Sequence, residues 1–112
     1  MEHESTIVLD RAAALERLGF EKEIFDELVQ SLVERSRSMV VEIGEALAQG
    51  DAGRVESLSH SIKGAAATLE ANALALAAQR LEMLARRSDL AEARVAWIRL
   101  SGALDELAAA AH

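Results

Sequence analysis

The sequence has no cysteine, no proline and no tyrosine, and aromatic residues make up only 3% of it. Without cysteine there can be no disulfide, thiolate metal site, iron–sulfur cluster or thiol nucleophile. A β-sandwich or barrel draws on aromatic and β-branched residues and on turn prolines, which this chain largely lacks. Long apolar runs are missing too. Ala73 to Ala78 is among the longest, far short of the roughly 20 residues that span a bilayer. Basic charge is scarce: 12 Lys and Arg stand against 19 Asp and Glu, a formal net charge of −7. Phosphate backbones reward a basic stripe, so nucleic acid is not an expected partner. Residues 1–6, MEHEST, are polar and acidic, unlike a secretory leader. The expectation is a soluble cytoplasmic protein with one domain over residues 1–112. No membrane partner is expected, and a monomer suffices because the acidic surface keeps itself soluble. The Met1 start and short tails favour a free-standing protein over a domain cut from a longer chain.

What is present points to helix. Hydrophobic residues make up 51% and charged residues 28% of 112 positions, a globular balance dominated by the helix formers Ala, Leu, Glu and Arg. Asp10 can cap a short first helix that Gly19 ends in the left-handed conformation. A long second helix spans about Glu21 to Gln49, with Phe25, Leu28, Val29, Leu32, Val33, Ser36, Met39, Val40, Ile43 and Leu47 on its apolar stripe. Gly50 and Asp51 read as a stop followed by a new cap. The third helix runs from about Ala52 to Leu69, with Val55, Leu58, Ile62, Ala65, Ala66 and Leu69 inward. A turn near Glu70 to Asn72 leads to a fourth helix, about Ala73 to Arg87. Asp89 with Glu92 resembles a capping box for a fifth helix, about Leu90 to Ala110. Trp97, the one tryptophan, reads as core. Short connections make consecutive helices antiparallel neighbours. The expected fold is all-α, an antiparallel four-helix bundle with an additional short N-terminal helix.

His3 and His112 sit near the chain ends and read as surface residues. His60 differs because it falls almost opposite the apolar sector of helix three. Its helix face carries Ser57, Gly64, Ala67 and Ala71 instead of long charged side chains, which marks these positions as candidates for partner docking. A mid-helix glycine costs about 1 kcal/mol relative to alanine, and close approach of another surface is the usual reason for one. Lys63, three residues on, can neutralise a dianionic group held by the imidazole. A neutral imidazole is a competent nucleophile near neutral pH, since the free side chain has a pKa of about 6.5. If an acceptor fixes one ring N–H, the other nitrogen keeps its lone pair. Helix four offers Gln79 and Glu82 for that purpose.

The stretch His60-Ser-Ile-Lys63-Gly64-Ala-Ala-Ala-Thr-Leu69 resembles the H-x-x-K-G signature of histidine-containing phosphotransfer (Hpt) domains. The resemblance extends over nearly the whole chain, through Val8-Leu-Asp10, Leu15, Gly19, the break at Asp51, Leu81-Glu82 and the break at Ser88-Asp89. It implies a phosphoryl group carried on Nε2 of His60, charge neutralisation by Lys63, steric clearance at Gly64 and imidazole orientation by Glu82. It implies as partners the receiver domains of response regulators, or a sensor histidine kinase. One departure is Glu70, where the family often has a second glycine; there the turn is expected to be reshaped, with Asn72 left-handed.

No G-x-x-x-x-G-K-[ST] or G-x-G-x-x-G cradle for a nucleotide is present. A carrier without autonomous catalysis or a cofactor of its own is therefore expected, the Mg²⁺ coming with the receiver. A di-iron bundle would need paired Glu-x-x-His motifs with inward glutamates; here Glu56 precedes His60 on the outer face and no interior second histidine exists. The alternative is a helical module that docks a receiver or kinase without being phosphorylated. It leaves the mid-helix glycine beside His60 and Lys63 without a reason. Arg35, Arg37, Arg86 and Arg87 read as solvated helix faces.

Overall fold

The computed structural model describes residues 7–111, whose regular structure is entirely helical. His3 and His112 lie outside the described residues. The helices are α1 (Arg11–Leu18), α2 (Lys22–Ala48), α3 (Ala52–Thr68), α4 (Asn72–Arg86) and α5 (Leu90–Ala110). Helices α2 to α5 form a closed ring in which each packs on its sequence neighbour and α5 returns to α2. This is the four-helix bundle that short connections dictate.

Each start and stop has a local cause. The side chains of Asp10, Asp51 and Asp89 accept from the backbone N–H three residues on, at Ala13, Arg54 and Glu92. Gly19 ends α1 at φ 71°. Gly50 ends α2 at φ 70°, with Asp51 N–H donating to Ala46 O at 2.9 Å and Gly50 N–H to Leu47 O at 3.1 Å. That pair of bonds is a Schellman closure. The same closure ends α3 and α4, but there Glu70 (φ 61°) and Ser88 (φ 58°) hold the left-handed position. Asn72, expected to be left-handed, is instead the first residue of α4. Glu70 keeps the turn the missing glycine would make. Its side chain accepts from Arg17 of α1 at 3.0 Å, which offsets part of the roughly 1–2 kcal/mol cost of that conformation.

Ala71, the N-cap of α4, has no side-chain cap. The extended segment before α1 takes over: Ala73 N–H donates to Ile7 O and Asp10 N–H to Glu70 O, both at 3.0 Å. The core runs the length of the bundle and includes Phe25, Ile43, Ile62, Leu74, Leu81, Leu100 and Leu104. Trp97 is only partly buried; its indole N–H donates to Val40 O at 2.8 Å. Gly44 makes room for that ring, since a Cβ there would stand 2.6 Å from Trp97 Cζ2.

Candidate functional site

On α3 the buried side chains are Val55, Ser59, Ile62 and Ala66. The buried Ser59 hydroxyl is satisfied within the helix, donating to Val55 O at 2.6 Å. The rest of the turn-by-turn pattern puts His60 outward, with 67% of its side chain exposed. Yet one ring nitrogen is fixed. Glu82, reaching across from α4, stands with Oε2 at 2.8 Å from His60 Nδ1. A carboxylate only accepts, so Nδ1 is the protonated nitrogen. In the neutral ring Nε2 is then the nitrogen with the lone pair.

Glu82 is itself 4% exposed, and it stays charged because cations surround it. Lys63 Nζ lies 2.7 Å from Oε1. Arg86, one turn along α4, donates to Oε2 at 3.1 Å. The Lys63 hydrogen bond is the largest cause holding the Glu82 carboxyl below its ordinary value of 4.5; the His60 bond adds to it, and burial opposes both. Arg86 is in turn tied to Glu56 of α3 through a 2.9 Å bond from Nε. The result is a chain of alternating charge, Glu56–Arg86–Glu82, ending on the imidazole and Lys63.

Gly64 lies one turn after His60 and is exposed. A Cβ built on it would meet no heavy atom within 4 Å. Nothing among the described residues requires glycine there. Gly102 on α5 is equally open, but no imidazole stands beside it. Ser57 and Ala67 are exposed on the His60 helix, as Ser61 and Thr68 are.

The structure corrects four sequence readings around the site. Ala71 is 0% exposed and offers no surface to a partner. The bonds from Asp10 to Glu70 and from Ala73 to Ile7 bracket it beneath the N-terminal segment. Gln79 does not reach the imidazole; it is exposed and lines a groove between α4 and α5. Arg86, read as a solvated charge, is part of the histidine's network. Its i,i+4 spacing from Glu82 was a visible hint. The sequence reading also missed a groove of about 420 Å³ beside α3, where Phe20, Leu28, Arg35 and Met39 face Ser61 and Ala65. Leu28 is 36% exposed there instead of core.

Among the described residues, no group of three or more His, Asp or Glu side chains is placed to hold a metal ion. No helix among them is long and apolar enough to cross a membrane.

A family model described as the Hpt domain matches residues 27–111. The crystal structure of histidine-containing phosphotransfer protein B from Pseudomonas aeruginosa PAO1 is similar in fold, with a TM-score of 0.81 and 24% sequence identity. That likeness covers 92% of this chain and 90% of that one. No curated protein matches the chain in sequence.

Proposed function

The chain belongs to the Hpt domain family, and on that premise we propose that it carries a phosphoryl group on Nε2 of His60 within a two-component phosphorelay. The observation that carries this reading is the 2.8 Å bond between His60 Nδ1 and the buried Glu82 carboxylate on a side chain that is 67% exposed. A bond at Nδ1 fixes the tautomer that leaves Nε2 nucleophilic.

In the proposed transfer, the Nε2 lone pair attacks the phosphorus of a receiver's aspartyl phosphate. The P–Nε2 bond forms as the P–O bond to the aspartate breaks, and the aspartate leaves as a carboxylate. The ring then holds positive charge, which Glu82 stabilises through Nδ1–H. Lys63, three residues after His60 on the same helix, swings from Glu82 to the phosphoryl oxygens in this reading. Arg86 remains as the carboxylate's cation when it does. In the second half a carboxylate oxygen of another receiver attacks phosphorus, and the neutral imidazole leaves. The Mg²⁺ ion is proposed to come with the receiver. Gly64 gives the receiver its path of approach, and the apolar groove beside Ser61 and Ala65 gives it a surface to rest on.

The test mixes the protein with receivers phosphorylated on aspartate, in Mg²⁺, beside a His60→Gln control. Acid-labile, base-stable label on the wild type and none on the variant is the expected result. Folded wild-type protein that takes no label from a broad receiver panel, yet binds receivers, would show a docking module instead.

A further inference from the structure

The groove between α4 and α5 has a volume of about 610 Å³ and is lined by residues of those two elements, with none from the His60 helix α3. Leu76 and Met83 line it and are 51% and 43% exposed. Three arginines, Arg80, Arg87 and Arg99, line it as well, and no acidic residue does. In a chain with 19 Asp and Glu against 12 Lys and Arg, that is a local inversion of sign. These three guanidiniums also lack ion-pair partners among the described residues. Elsewhere Arg11, Arg17, Arg37, Arg54 and Arg86 each pair with a carboxylate; Arg94 donates instead to Leu47 O at 3.2 Å, and Arg35 has no carboxylate partner among the described residues.

We propose that this groove is a second protein-docking site, separate from the His60 face, that receives an acidic amphipathic helix of a partner protein. Two adjacent antiparallel helices form a trough into which a third helix packs by ridges and grooves. Its apolar residues at i, i+3 or i+4 and i+7 would cover Leu76, Met83 and Leu84. Its flanking Asp and Glu would meet guanidiniums whose planar forks suit carboxylates. The arginine stems add apolar surface at the rim. An anionic bilayer fits less well, because a surface with a net charge of −7 would be repelled by it. A second copy meeting groove to groove would set arginines against arginines. Glu82 and Arg86 face α3, so the groove and the phosphoryl site can be occupied together.

A displayed library of short helical peptides, selected on the full-length protein, tests this. Counter-selection uses the variant R80E/R87E/R99E, with circular dichroism confirming that it folds. The expected winners carry Asp or Glu flanking an apolar stripe. They should bind the wild type in a salt-sensitive way and lose roughly tenfold or more in affinity on the variant, since three exposed pairs become repulsions. Phosphorylation of His60 by a receiver should proceed with the peptide bound. The proposal is overturned if no enriched peptide distinguishes wild type from variant, or if the winners compete with receivers. Sedimentation showing a dimer that the variant abolishes would overturn it too, in favour of a second copy. Because phosphotransfer is read separately, failure here leaves the reading of His60 standing, and the reverse also holds.

Discussion

Lys63 Nζ stands 2.7 Å from Glu82 Oε1, so the lysine nearest the histidine is engaged by the same carboxylate that holds the imidazole. One buried anion thus organises both groups that the proposed phosphoryl transfer needs. Its loss should be felt at both.

Glu82→Gln keeps an acceptor for Nδ1–H but removes the charge. A hydrogen bond to a charged group is worth about 1.5–3 kcal/mol against about 1 for a neutral one. Phosphoryl uptake by His60 should slow on the order of tenfold, while Glu82→Leu should slow it further. Rapid-quench measurement with a phosphorylated receiver checks this, and a Gln variant as fast as wild type would sink the orienting role.

Acid should weaken the fold partly through the same residue. The Glu82 carboxyl lies below its ordinary 4.5 in the folded chain, so the unfolded chain binds more protons in the acid range. Its stabilising contribution is whole above about the ordinary value and is lost as pH falls through the depressed folded value. Urea midpoints measured from neutral to acid pH should show wild type and Glu82→Gln converging as pH drops. Parallel curves would mean that the carboxylate's titration contributes nothing.

Gly64→Ala separates folding from function. With open space where the methyl would sit, the variant should gain up to about 1 kcal/mol of stability. Transfer should nevertheless fall on the order of tenfold or more, because small misplacements of reacting groups are costly. Gly102→Ala, equally open but far along α5, is the control and should gain stability with transfer intact. Full transfer activity in the Gly64 variant would remove the clearance argument.

Gly44→Ala should behave in the opposite way. Its methyl would drive into Trp97 at 2.6 Å, where the indole is held by its 2.8 Å bond to Val40 O. Overpacking of this kind costs about 1–3 kcal/mol. The melting temperature should drop and the tryptophan emission should shift, with phosphotransfer at His60 little changed. An unaltered melt would show that the ring yields freely.

The helices were legible because their causes are local. Asp10, Asp51 and Asp89 cap the backbone three residues ahead, and period and composition do the rest. His60 was legible because its face carries small residues where charges belong. Spacing alone left Gln79 and Glu82 both open, and only the resemblance pointed to Glu82. The two lie three residues apart on neighbouring positions of α4, and the packing of α4 on α3 decides that Glu82 is buried against the imidazole while Gln79 stays exposed. The same packing recruits Arg86, and the packing of α4 on α5 brings Arg80, Arg87 and Arg99 to one groove. Glu70 holds its left-handed turn because the closing bonds at Ala66 and Ala67 and the Arg17 contact outweigh its intrinsic preference. Ala71 is buried by a segment far away in sequence. Spacing along the chain determines which residues share a face, but contact between faces is a long-range property that only the packed bundle decides.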